Sequence, residues 1–116
     1  MEKSDIPRIA QMHANIEKIE LFTEGHDRGA FMKDEKTQSA ILMQLLLLGE
    51  IAKRVSEETK SQISINWPAV QAFRNVIVHE YYEVELSTVW TILQEDLPST
   101  KEALEHFLRH ARVDFI

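Results

Sequence analysis

Apolar residues recur every three or four positions through most of this chain, a spacing that lines them up along one face of an α-helix. From Asp5 to about Glu24 the stripe is Ile6, Ile9, Met12, Ile16 and Ile19; Ser4 or Asp5 can cap the first turn, and Gly25 can stop the helix. Thr23 to Asp34 reads as a connection with one or two short helical turns that drop Phe31 into the core, and His26 and Asp27 count as loop residues. A second helix is expected from Asp34 or Glu35 to near Glu58. Its apolar positions, Ala40 to Met43, Leu45 to Leu48, Ile51, Ala52 and Val55, cover more than one face, and the surplus predicts self-association. Beyond Leu48, Glu50 is placed to pair with Lys53 or Arg54. Trp67-Pro68 opens a third helix with Val70, Phe73 and Ile77 on its buried side. Leu86, Val89, Trp90, Leu93 and Leu97 give a fourth, which Pro98 breaks or kinks. A last helix follows from Ser99 as its cap, with Leu104, Phe107, Leu108 and Ala111 inside and Lys101 and Glu105 as an exposed pair.

The pattern makes the fold all-α, an antiparallel bundle of four to five helices, and 116 residues fit a single domain over 1–116. Three Gly and three Pro leave little room for a chain of many short strands. With no cysteine there is neither a disulfide framework nor a thiolate metal site. The polar start, Met1 to Asp5, lacks the apolar core of a signal peptide, and Ile41–Leu48 is too short to span a bilayer; a cytoplasmic protein with no membrane partner is expected. A net charge of −6 opposes broad binding to a phosphate backbone, so any nucleic acid must be held at a local site.

The chemistry concentrates in Arg74-Asn75-Val76-Ile77-Val78-His79-Glu80-Tyr81-Tyr82. Arg74 and His79 stand about 140° apart on an ideal helix, so one helix does not aim both at one spot. Either the helix ends at His79 or a second chain completes the site, and the surplus apolar face favours a two-fold dimer with two copies of each residue facing a shared groove. That set suits metal-free RNA cleavage by attack of a 2′-hydroxyl on the adjacent phosphate. Histidine, with an ordinary pKa of about 6.5, serves as acid or base near neutrality, and arginine matches phosphate oxygens. Asn75 can orient the phosphate or the imidazole, and Tyr81 can hydrogen-bond substrate or carry a modification. The plain alternative is a helix-end pair capping carbonyls, with Tyr81 and Tyr82 packed at a rim. His13 reads as a surface or rim residue. His106 and His110 share a helical face, but two ligands make a weak metal site; no metal and no cofactor are expected.

Arg74, four residues, His79, one residue and Tyr81, preceded by Ile65-Asn66-Trp67-Pro68 and followed by Val84 to Trp90 and Leu97-Pro98, resembles the HepT-like branch of the HEPN superfamily. The similarity spans almost the whole chain and includes Leu48-Gly49-Glu50-Ile51-Ala52-Lys53. The resemblance implies a dimeric helical-bundle ribonuclease toxin of a type VII toxin–antitoxin pair, with a composite active site at the subunit interface. It implies Arg74 and His79 as the catalytic pair and Asn75 as the polar residue after the arginine. Tyr81 is the implied target of AMP addition by an MntA-like minimal nucleotidyltransferase antitoxin. Tyr82, where the family often has Phe, is a second phenol beside that target. The implied partners are therefore a second copy, RNA and the antitoxin. The rival expectation is a non-catalytic helical subunit that docks a nucleotidyltransferase.

Overall fold

In the computed structural model, which describes residues 4–114, the stripe Ile9, Met12, Ile16 and Ile19 is buried along α1 (Asp5–Thr23). Its main partner is α3 (Glu35–Arg54), which brings Ile41, Leu42, Leu45, Leu48 and Ala52 to the same core. The two run antiparallel, because Asn15 donates to Gln44 at 2.7 Å in the middle of the seam while Asp5 reaches Ser56 at its end. Between them α2 (Arg28–Lys33) starts at Asp27, whose carboxylate accepts from the Ala30 amide, and buries Phe31 as expected. His26 is more than a loop residue: Nε2 donates to Asp34 at 3.0 Å, and Asp34 in turn caps α3 through the Thr37 amide.

The long second helix expected to reach Glu58 instead stops at Arg54, and Val55 is extended. Ser56 then caps a separate short helix, α4 (Glu57–Ser61), with its hydroxyl accepting from the Thr59 amide. The cause lies far away in sequence. Asp5, fully buried, accepts from the Ser56 hydroxyl at 2.6 Å, the Thr59 hydroxyl at 2.7 Å and Arg8 at 3.1 Å. Neither Ser4 nor Asp5 caps α1: Ser4 makes no side-chain cap bond, and the Asp5 carboxylate is spent on the α3–α4 corner.

Burial pushes the Asp5 carboxyl up, but the donors from Ser56, Thr59 and Arg8 outweigh it and hold the group below its ordinary range. A depressed folded pKa gives stability that is present above the unfolded value and lost as pH falls through the folded one. Asp5→Asn is therefore expected to lower unfolding free energy at neutral pH by about 1.5 to 3 kcal/mol, the scale of hydrogen bonds to a charged group. It should also flatten the acid limb of stability against pH. Urea melts from pH 7 to 3 measure both; equal acid limbs in the two proteins would refute the assignment.

Beyond α4 the chain forms α5 (Trp67–His79), a 3₁₀ turn (Tyr81–Glu83), α6 (Leu86–Thr91), a π-helical turn (Ile92–Asp96) and α7 (Leu97–Asp114). Pro98 does not break the chain into two helices. The wide π turn ends at Asp96 and contains Gln94, whose carbonyl, four residues back, the proline ring would meet in a regular helix. Ser99 donates to the Asp96 carbonyl instead of capping a new helix. The pair expected between Lys101 and Glu105 is replaced by two links to α1: Lys101 to Glu20 at 2.8 Å, and His13 to Glu105 at 2.9 Å. His13, expected as a surface or rim residue, thus ties α1 to α7.

Among the described residues there is no strand, and no helix is long and apolar enough to cross a membrane. The molecule measures 46 × 30 × 19 Å, and a helix with its side chains is about 10 to 12 Å across, so the bundle is two helices thick. Long helices therefore keep one face uncovered. On α3 that face carries Met43, 52% exposed, and Leu47, 38% exposed. It is the surplus visible in the sequence.

Candidate active site on the fifth helix

α5 is held at both ends. The Asn66 side chain accepts from the Ala69 amide at 3.0 Å, Pro68 sits in the first turn where its missing N–H is harmless, and the Trp67 indole donates to the carbonyls of Lys60 and Ile63. At the far end the Glu80 amide closes on Val76 at 2.8 Å and Glu83 on Glu80 at 2.8 Å. The helix thus stops at His79 and turns at once into the 3₁₀ segment that carries both phenols.

Arg74 lies midway along α5 against α3. Only glycine fits beneath it: a Cβ at position 49 would lie 2.4 Å from the Arg74 Cβ and 3.1 Å from the Val70 carbonyl oxygen. The next residue, Glu50, takes the guanidinium through Nε and Nη2, while Nη1 donates to Asn75 Oδ1 at 2.9 Å. Side-chain exposures of 22% for Arg74 and 31% for Glu50 make this a half-buried ion pair. Glu50 was expected to pair along its own helix with Lys53 or Arg54; it reaches across to α5 instead. The sequence signal that could have found this is a glycine and an acid side by side near the end of a long apolar run.

His79 is exposed and makes no side-chain hydrogen bond or ion pair among the described residues. Five residues of rise separate it from Arg74 by about 7.5 Å along the axis, in addition to the angular offset. One chain thus joins Arg74 with Asn75 and Glu50 but not with His79. Tyr81 is 42% exposed and Tyr82 is 98% exposed, with their rings edge-on at 5.5 Å. Neither hydroxyl makes a hydrogen bond among the described residues. Val78, 43% exposed, adds an apolar residue to this end of α5.

The stretch of chain that carries α5 is poor in cations. From residue 61 to 100 Arg74 is the single Lys or Arg, while Glu80, Glu83 and Glu85 follow His79 closely. A phosphate at Arg74 would meet a guanidinium already paired with Glu50. A groove of about 560 Å³ opens elsewhere on α5, walled by Leu45, Leu48, Val70, Phe73, Ile92 and Leu97, and contains none of Arg74, His79 and Tyr81. The polar cluster lies outside this groove. On α7, the exposed His106 and His110 rings stand 4.2 Å apart, and the second bonds the first residue's carbonyl. Among the described residues no three His, Asp or Glu are grouped to hold a metal ion.

Residues 12–107 match the family described as Ribonuclease HepT-like. The chain belongs to this family. The HepT-like match runs from the middle of α1 into α7 and so includes the Gly49-Glu50 pair and all of α5. The chain is 30% identical over 106 residues to the "Probable ribonuclease HepT" of Thermococcus cleftensis, covering 90% of this chain and 96% of that protein. Two Methanocaldococcus jannaschii proteins, each named "Putative RNase", are 24% and 25% identical over 72% and 82% of this chain and 78% and 79% of their own lengths. No solved structure matches the chain.

Proposed function

We propose that this HepT-like chain is a metal-independent endoribonuclease whose active site is assembled by two copies across α3 and α5. The observation that carries the reading is the split within one chain: Arg74 is clamped on Glu50 and Asn75, whereas His79 stands free and exposed at the helix end. A two-fold partner laid on the uncovered faces of α3 and α5 would cover Met43, Leu47 and Val78 and bring the second His79 toward the first Arg74. The neutral imidazole of one His79 takes the proton of the 2′-hydroxyl as its oxygen bonds to phosphorus. The P–O5′ bond then breaks, and a protonated His79 supplies the leaving oxygen with its proton. Arg74 stabilises the charge on the non-bridging oxygens, and Asn75 keeps the guanidinium turned. The product is a 2′,3′-cyclic phosphate and a 5′-hydroxyl.

The same reading makes the chain the toxin of a toxin–antitoxin pair, switched off by a minimal nucleotidyltransferase that adds AMP to Tyr81. The phenol oxygen attacks the α-phosphate of ATP and pyrophosphate leaves. An adenylate on the exposed Tyr81, or on Tyr82 beside it, puts bulk and negative charge next to His79.

Purified protein incubated with RNA in EDTA is expected to give 2′,3′-cyclic phosphate ends. Intact RNA would favour the rival, a subunit that docks a nucleotidyltransferase without hydrolysis. Co-expression with an MntA-like minimal nucleotidyltransferase should add AMP-sized mass to the peptide holding Tyr81 and Tyr82. No added mass would overturn the off-switch.

A further inference from the structure

Glu50 has no share in the proton transfers of that mechanism, yet it holds the Arg74 guanidinium through both Nε and Nη2. We propose that Glu50 is a positioning residue for phosphate recognition, one that fixes which N–H donors of Arg74 meet the RNA and lowers ground-state affinity in doing so. The inference rests on the ribonuclease reading.

A guanidinium has five N–H donors: one on Nε and two on each terminal nitrogen. Glu50 Oε1 accepts from Nε and lies in ion-pair contact with Nη2, covering the N–H of Nη2 on that edge, and Asn75 Oδ1 accepts from one N–H of Nη1. Two donors remain, one on each terminal nitrogen, and two is the number a pair of phosphate oxygens engages. Without Glu50 the side edge of the fork, Nε with Nη2, would be open as well, and a phosphate would have two ways to dock. Gly49 fixes the other end of the side chain, because its missing Cβ lets the Arg74 stem lie on the α3 backbone. Glycine and acid at adjacent positions thus restrain both the stem and the head of one arginine.

A purely structural tie between α3 and α5 is the competing account. Half-exposed ion pairs contribute little to stability, and this one neutralises the sole Lys or Arg between residues 61 and 100, in a chain of net charge −6. A carboxylate there repels phosphate. Its presence is understandable where orientation in the transition state matters more than attraction in the ground state, since only the former raises turnover. The two accounts differ in kinetics.

Glu50→Gln keeps an acceptor for the guanidinium and removes the charge; Glu50→Ala removes both. Steady-state cleavage of a short RNA should show kcat falling by about threefold in Glu50→Gln and by about tenfold in Glu50→Ala, as expected for a loosened catalytic group. KM should fall in both. Binding of the same RNA carrying a 2′-deoxy residue at the scissile position should tighten in Glu50→Gln, and that gain should vanish when Arg74→Ala is added, because the coupling runs through Arg74. A purely structural pair would move the melting temperature and leave kcat and KM of the folded fraction unchanged, which would overturn the inference. Tightening that persists without Arg74 would overturn it too. Failure of the wild-type protein to cleave any RNA defeats the ribonuclease reading and this inference together, and it is read from the wild-type reaction alone.

Discussion

Replacing His79 by alanine is expected to slow RNA cleavage by about 10²- to 10⁴-fold, the range that a positioned general acid or base contributes. Because His79 is exposed and unbonded at the end of α5, its removal leaves no cavity and no orphaned partner, so the melting temperature should hardly change. Full activity in folded His79→Ala would refute its role. Mixing separates a site within one chain from one shared between two. Each parent homodimer of Arg74→Ala or His79→Ala lacks one residue type entirely, whereas a mixed dimer holds one intact arginine and one intact histidine. If the site is shared, subunits exchanged under mild denaturant and refolded together should cleave faster than either parent. No gain over the parents would refute a site built from one Arg74 and one His79 of different chains.

The helices were legible in the sequence wherever burial alone decides. The three-and-four spacing of Ile6, Ile9, Met12, Ile16 and Ile19 needs no knowledge of the rest of the molecule, and all of them are buried except Ile6, which is half-buried. What escaped were polar side chains whose partners are distant in the chain. Asp5 reads as a helix cap because caps are local, yet its partners stand 51 and 54 residues on, and that choice ends α3 four residues early. Glu50 reads as half of an i,i+4 pair for the same reason, and its partner is 24 residues away. Lys101 and Glu105 share one helix but bond to α1. Short-range pairing rules describe what an isolated helix offers; once helices pack, a half-buried charge goes to the partner that best replaces its lost water. The Arg74-to-Tyr82 segment stood out in the sequence because so many reactive groups are adjacent there. That Arg74 points to Glu50 and His79 to solvent depends on where α3 lies.

Gly49→Ala should damage stability and catalysis together, for one geometric reason. Alanine is the better helix former by about 0.8 to 1.0 kcal/mol, so on α3 alone the change would stabilise. Against that, the new Cβ would lie 2.4 Å from the Arg74 Cβ, 3.0 Å from its Cγ and 3.1 Å from the Val70 carbonyl oxygen. The stem can swing aside, but the Val70 carbonyl belongs to the backbone of α5 and moves only if α5 moves. Overpacking of this kind costs about 1 to 3 kcal/mol, which exceeds the propensity gain over most of its range. A net loss of up to about 2 kcal/mol is expected in urea unfolding. Catalysis should suffer more, since the displaced element carries Arg74, and a shift of about 1 Å in a catalytic group can cost about 10²-fold. Measuring kcat well below the melting transition keeps the two effects apart. If Gly49→Ala matches the wild type in both, α3 and α5 do not meet as closely as the geometry requires. If stability falls and kcat does not, the Arg74 guanidinium does not depend on the floor that Gly49 provides.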